Sequence, residues 1–272
     1  MAITPFQRVV CRLLAETRIA SGESYVAGGV ALNELLAAPR RSRDIDFFHD
    51  TDTALQVSWD ADRALLERSG FEVGVLRERG GLVEARVTRG GDTVRVEWAR
   101  DSAFRFFPLV QHADLGLVLH PFDLATNKVL ALVGRLEPRD WIDVIECDAR
   151  LQPLGYLAWA ACGKDPGFNP KAILDDAARG GRYSAAEIHA LDFGAEMPDA
   201  AVLSRRWHTI LATAREAVDS LPVEEVGRCV LTDTGELFRG DPLALRAALA
   251  QGRLRFHQGC IRGATPRVIE AG

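Results

Sequence analysis

The chain has 272 residues, of which 47% are hydrophobic and 26% charged, with a formal net charge of −5. That composition is ordinary for a globular chain forming one large domain or two small ones. No apolar run approaches the ~20 residues of a membrane span, and the net acidity disfavours a dedicated nucleic-acid binder, which is usually basic.

From the N-terminus, Phe6 to Ala20 alternates charged and apolar residues at helical spacing. It reads as an amphipathic helix with Val9, Leu13, Leu14 and Thr17 on one face, and not as a signal peptide. The five cysteines (Cys11, Cys147, Cys162, Cys229 and Cys260) are scattered, and no two form a CxxC pair. Neither a disulfide framework nor a zinc site is suggested, and the expected compartment is the cytoplasm.

The stretch from Tyr25 to Phe48 organises the rest. Tyr25-Val26-Ala27 is a short apolar run that ends at Gly28-Gly29. Val30 to Leu36 carries apolar residues at helical spacing and stops before Pro39, because the residue preceding a proline leaves the helical region. Asp44 to Phe48 reads as a second strand. Side chains alternate along a strand, so Asp44 and Asp46 share one face while Ile45 and Phe47 share the other. Two carboxylates so placed repel unless a cation lies between them, and hard divalent cations prefer carboxylate oxygens. Gly28-Gly29 permits close backbone approach, and the following helix start offers N–H groups and a positive dipole end to phosphate. None of the six histidines shows ligand spacing, but His49 lies just past the acidic strand and is read as able to approach a ligand held there.

Further on, Ala61 to Arg68 reads as a helix closed by Gly70. Three strands follow, Phe71 to Arg77, Leu82 to Thr88 and Thr93 to Ala99, separated by Gly80-Gly81 and Gly90-Gly91. These glycine pairs are hairpin signals, so the region is an antiparallel meander beside the first two strands. Glu97 lies opposite the Val94-Val96-Trp98 face and is the candidate third carboxylate. The competing reading is a solvent-facing residue paired with an arginine such as Arg86.

From Pro121 the pattern turns helical. Asp123 to Arg135 and Pro138 to Arg150 are two helices interrupted at Glu137-Pro138, and Leu203, Trp207, Ile210, Ala214 and Val218 form an apolar stripe on a later helix. Lys128 sits among apolar neighbours, either reaching for solvent or aimed at an anion. Asp140 and Asp143 share a face of the second helix, so Asp140 is a candidate partner for Lys128. Residues 1–120 are read as a core and residues 121–272 as a mainly helical domain that completes the active site. Arg40, Arg41 and Arg43 precede the acids, and Arg253, Arg255, Arg262 and Arg267 mark a basic tail.

Strand, Gly-Gly, helix, then Asp-x-Asp on a strand resembles the DNA polymerase β-type nucleotidyltransferase superfamily, although 14 residues separate Gly29 from Asp44, slightly more than is usual there. Gly28-Gly29-Val30-Ala31-Leu32, then Arg40-Arg41-Ser42-Arg43-Asp44-Ile45-Asp46-Phe47, then Lys128 and Arg139-Asp140 with Asp143 narrow the resemblance to the AbiEii/AbiGii nucleotidyltransferases, which include the MenT toxins. It covers roughly residues 25 to 148. It implies an α/β (α+β) fold, a polymerase β-like core with a mixed sheet followed by a helical C-terminal half. It implies metal ligation by Asp44 and Asp46, with Glu97 the third ligand by pattern, and Mg²⁺ or Mn²⁺ as the ion. It implies triphosphate contact by Lys128, a catalytic role for Asp140 and a phosphate-facing Ser42, and Arg43 beside Ser42 is read as a nucleotide contact with Gly28 and Gly29. A nucleoside triphosphate is then the substrate, tRNA or another RNA the expected acceptor, and an antitoxin protein a possible partner. Two other readings stand beside this one: transfer to a small molecule such as an aminoglycoside, which the net acidity suits, and a degenerate, non-catalytic binding module.

Overall fold

The computed structural model describes residues 3–179, 183–194 and 197–266. It divides into two compact units, Met1–Ala103 with Leu109–His120, and Phe104–Pro108 with Pro121–Gly272. Arg267, counted above in the basic tail, lies outside the described residues.

In the first unit, α1 (Pro5–Ser21), β1 (Ser24–Ala27), α2 (Gly28–Leu35), β2 (Asp44–His49), α3 (Asp52–Arg68), β3 (Glu72–Arg79), β4 (Leu82–Arg89) and β5 (Asp92–Arg100) follow in order. β6 (Phe104–Arg105) belongs to the other unit, while β7 (Val110–His112) and β8 (Gly116–Val118) return to this one. One seven-stranded sheet results, in the order β3-β4-β5-β2-β1-β8-β7. It is mixed: β2 pairs parallel to β5 and β1 parallel to β8, while the other neighbours run antiparallel.

The meander forms as the glycine pairs predict. Arg89 pairs with Asp92 around a two-residue loop in which Gly90 has φ 61° and Gly91 φ 93°, the left-handed pair that a hairpin turn of matching twist requires. Val83, Ala85 and Val87 of β4 and Val94, Val96 and Trp98 of β5 are buried. β3 is the exposed edge, with a register irregularity between Val75 and Arg77.

Three sequence expectations are corrected here. α3 begins at Asp52, nine residues before the expected start, because Thr51 caps it by accepting from the Ala54 N–H at 3.0 Å. This brings Leu55 and Trp59 into the core. In α1 the buried side is Val10, Leu14 and Arg18 while Val9 is exposed. His49 falls on the Ile45–Phe47 side of β2 and is fully buried, its Nδ1 3.2 Å from the Ala99 carbonyl. It therefore faces away from the acids, and burial first of all pushes its pKa down to about 4.

The core of this unit holds a buried ion pair. Arg18 Nη2 donates to Asp62 Oδ2 at 2.5 Å, Trp98 Nε1 donates to the same oxygen at 2.8 Å, and the Arg18 guanidinium lies 3.4 Å over the Phe47 ring.

The second unit contains α4 (Pro121–Arg135), α5 (Pro138–Arg150), α6 (Leu154–Ala161), α7 (Pro170–Ala177), α8 (Ala185–His189), α9 (Ala200–Ser220) and α10 (Pro242–Ala250). α4 ends where Leu136 turns left-handed at φ 51°, and Pro138 opens α5. α6 is buried along its whole length, and the α9 stripe is core, with Leu203, Trp207, Ile210, Ala214 and Val218 all buried. The unit is mainly helical, and it also carries strands for which the sequence pattern gave no signal. β9 (Arg228–Thr232) pairs antiparallel with β10 (Leu254–Gln258), and β11 (Cys260–Ile261) pairs with β6. No described helix is long and apolar enough to cross a membrane.

Removing one partner of the buried ion pair should be costly, because the other charge stays in the core. Arg18→Met should destabilise the protein by about 3–5 kcal/mol. Arg18→Met combined with Asp62→Leu should recover part of that loss, the Trp98 N–H remaining unpaired. Urea unfolding of the two variants against wild type measures both.

Candidate active site

The acids are set by strand alternation. On β2 the buried side is Ile45, Phe47 and His49, which turns Asp44 and Asp46 to the other face, where both are half-buried. β5 lies beside β2 in parallel register, with Asp44 opposite Arg95 and Asp46 opposite Glu97. β4 lies on the far side of β5 and puts Glu84 opposite Glu97 and Arg86 opposite Arg95. One face therefore carries a row of three carboxylates, Asp46, Glu97 and Glu84, next to a row that alternates Asp44, Arg95 and Arg86. Glu97 does not sit across from Arg86.

Charge follows this geometry. Burial, and then the neighbouring Asp46 and Glu84 carboxylates, raise the Glu97 pKa, with Arg95 opposing them. Asp44 is answered by Arg95, whose Nε donates to Oδ1 at 3.0 Å and Nη2 to Oδ2 at 2.7 Å. The same guanidinium reaches Glu84 Oε1 at 3.2 Å.

The glycine pair abuts this row. Ala27 pairs with Asp46 across β1 and β2, so α2 starts beside the second acid. Gly28 has φ 64°, and a Cβ there would overlap the Asp46 carboxylate. A Cβ on Gly29 would lie 2.8 Å from Arg40 Nη2 and 2.9 Å from Ser42 Oγ. Ser42 and Arg40 thus converge over the first turn of α2, whose start has no side-chain cap. The loop is pinned from behind, since Gln7 Nε2 of α1 donates to the Ser42 carbonyl at 2.8 Å. Arg40 is buried and donates to the Arg41 carbonyl at 3.1 Å. It does not join Arg43, which is exposed, as a surface contact for RNA.

Asp44, Asp46, Glu97, Gly28, Gly29, Ser42 and Arg43 all belong to the first unit, and Lys128 and Asp140 to the second. There Lys128 Nζ is buried and donates to Asp140 Oδ1 at 2.9 Å, with Asp143 Oδ2 at 3.0 Å. Arg135 adds Nε to Asp140 Oδ2 at 2.6 Å and Nη2 to Oδ1 at 2.9 Å. Burial alone would raise the Asp140 pKa, but the Arg135 hydrogen bonds and the Lys128 charge outweigh it and hold Asp140 below the usual carboxylate range. The expected pairing of Asp140 with Lys128 is present, and Asp143 is an equal partner.

Sequence reasoning missed Arg95 and Glu84. Counting outward from the Gly90-Gly91 turn would have put Glu84 opposite Glu97. Arg95 had no such signal, because β2 and β5 are joined by no turn and their parallel register is a tertiary outcome. A cavity of about 680 Å³ lined by Asp52, Leu55, Arg79, Val83 and Arg100 lies on the Val83 side of β4, away from the acids.

The donor chemistry of the acid row suits a hard divalent cation: every side chain in it is a carboxylate, and the three stand at adjacent register positions. The donors are not yet convergent. Among the described residues no three His, Cys, Asp or Glu side chains are grouped closely enough to hold an ion, and Asp44 is engaged by Arg95.

The fold is that of a nucleotidyltransferase of the MenT type, with the mixed sheet and the acid-bearing strand that the sequence resemblance implied. Two solved structures carry this likeness. MenT4, a nucleotidyltransferase toxin of Mycobacterium tuberculosis, is 17% identical, with 80% of this chain and 85% of that chain covered and a TM-score of 0.50. JHP933 of Helicobacter pylori is 13% identical, with 80% and 95% covered and a TM-score of 0.50. No family model matches the chain, and no curated protein matches it.

Gly28→Ala tests the abutment of α2 on the acids. The left-handed backbone alone costs of order 1–3 kcal/mol for a non-glycine residue, and the new methyl also displaces the Asp46 carboxylate. We expect a lower urea midpoint together with a shifted environment for Asp46, read as a moved side-chain carboxyl carbon resonance. Gly22→Ala carries the strain without any neighbour within 4 Å and should lower the midpoint alone.

Proposed function

We propose that the chain is a metal-dependent nucleotidyltransferase that moves a nucleoside monophosphate from a nucleoside triphosphate to an acceptor hydroxyl. The reading rests on one observation: Asp44, Asp46 and Glu97 share a sheet face at adjacent register positions, beside the uncapped, glycine-built start of α2. Asp44, Asp46 and Glu97 would hold Mg²⁺ or Mn²⁺, which when bound neutralises the triphosphate and orients its reacting phosphate. The backbone N–H groups of Gly28 and Gly29 and the Ser42 hydroxyl seat phosphate oxygens at the positive end of α2. Arg43 contacts the nucleotide. Glu97 either completes the metal site or takes the proton of the acceptor hydroxyl as general base. The acceptor oxygen then bonds to the α-phosphorus, the bond from that phosphorus to the bridging oxygen breaks, and pyrophosphate leaves. Lys128 is assigned to the triphosphate, with Asp140 holding its ammonium in place.

The acceptor we infer is an RNA, tRNA above all. Arg41 and Arg43 precede the acids, and Arg253 and Arg262 are exposed further along the chain. A toxin role is proposed from the likeness to MenT4, with the cognate antitoxin that the sequence resemblance implies and the cytoplasmic compartment that the scattered cysteines suggest. A second reading, transfer to a cationic small molecule such as an aminoglycoside, is favoured by the net charge of −5.

Asp46→Asn removes charge without volume and should abolish transfer of label from any nucleoside triphosphate to total RNA, with the fold retained by circular dichroism. Label on a small hydroxylated compound and none on RNA would replace the first acceptor by the second. Transfer to neither, with no triphosphate bound in the presence of Mg²⁺, would leave a non-catalytic binding module.

Lys128→Met separates two roles of one ammonium. Loss of the buried pair should cost about 3–5 kcal/mol of stability, since Asp140 and Asp143 stay in the interior. A phosphate contact adds a separate effect, a roughly tenfold to hundredfold weaker triphosphate affinity. Calorimetric titration at a temperature where the variant is folded reads it, and unchanged affinity would confine Lys128 to packing.

A further inference from the structure

We propose that Arg95 is a built-in competitor of the divalent cation, occupying Asp44 until the ion displaces it. The inference rests on the reading above, in which Asp44 and Asp46 are ligands. Arg95 stands directly opposite Asp44 on the neighbouring strand. Its Nε and Nη2 take one carboxylate oxygen each, at 3.0 and 2.7 Å, while Nη1 reaches Glu84 at 3.2 Å. A guanidinium fork set on both oxygens of a carboxylate fills the directions in which a cation would approach. In the row beside it, Asp46, Glu97 and Glu84 lie abreast across three strands. Arg95 thus supplies a positive charge at one corner of an acid patch whose other carboxylates crowd each other. Entry of a divalent ion must break the pair with Asp44, and the guanidinium, half exposed on its sheet face, can swing to solvent or remain with Glu84.

The competition lowers the affinity of the resting site and makes ion binding depend on the strength of one surface pair. A pair of this exposure is worth a factor of roughly two to five. Arg95→Gln should therefore bind Mn²⁺ about twofold to fivefold more tightly than wild type, as read by the free-Mn²⁺ electron paramagnetic resonance signal without nucleotide. Arg86→Gln is the control: it removes the same charge from the position opposite Arg95 without touching the Asp44 pair. Arg95→Lys keeps the charge, loses the fork and should also tighten binding, which guards against a purely coulombic gain.

A gain in Arg95→Gln that exceeds the gain in Arg86→Gln by at least about twofold, with tighter binding in Arg95→Lys, supports the competition. Equal gains in the two glutamine variants, or no gain in Arg95→Lys, overturn it while leaving the ligand assignment standing. Mn²⁺ binding that is absent, or that is the same in wild type and Asp46→Asn, overturns both the competition and the ligand assignment.

Discussion

Carboxylates on neighbouring strands repel, and the parallel pairing of β2 with β5 brings four of them onto one face. Asp46, Glu97 and Glu84 stand abreast, and Asp44 stands one pleat away against Arg95. Such an arrangement is tolerated because the opposite face is dry and well packed: Ile45 and Phe47 from β2 and Val96 and Trp98 from β5 are buried. Phe47 and Trp98 lie 5.7 Å apart, and Trp59 packs on Trp98 at 4.8 Å between ring centroids. A slip of one residue between these strands would turn acids inward and tryptophan outward. The apolar face therefore dictates the register, and the register dictates which acids meet.

The two units handle buried charge differently. In the second, the buried acids Asp140 and Asp123 are neutralised where they stand. Asp140 takes Lys128 and Arg135. Asp123 accepts from the Phe106 and Phe107 N–H groups at 2.8 and 3.0 Å and pairs with Lys164 at 2.9 Å. In the first, Arg18 and Asp62 are likewise matched in the core, and on the open face Arg95 answers Asp44 and Glu84. Burial, and then the Asp46 and Glu84 carboxylates, raise the Glu97 pKa. Carboxylates abreast at a half-buried site set this row apart from the structural ion pairs, and their mutual repulsion is what a divalent ion would relieve.

Much of this was legible in the chain. The glycine pairs announced their turns, because only glycine adopts successive left-handed conformations cheaply. Alternation on β2 put Asp44 and Asp46 together, and alternation on β5 put Glu97 opposite the core. The helix spacing from Asp140 to Asp143 announced a shared face. The strands β9, β10 and β11 were not legible: β9 is buried at Cys229, Val230 and Leu231 without alternation, and its partner β10 lies beyond α10. The early start of α3 was signalled by Thr51 and Asp52, a cap followed by an acid in the first turn, but polar residues there read equally well as a turn.

The sequence by itself determined the local chemistry: which residue types follow the glycine pair, which side of each strand is apolar, and where helices begin and end around proline and glycine. These depend on periods of two or 3.6 residues and on backbone preferences, all of which act over a few positions. Only the tertiary structure decided that β2 lies parallel to β5, that Arg95 therefore faces Asp44, that Arg40 is buried over Gly29 rather than presented to solvent, and that His49 is core. The physical reason is that strand order and parallel register are fixed by packing of side chains far apart in the chain. No local period carries that information, so the acids could be named from the sequence while the cation that opposes them could not.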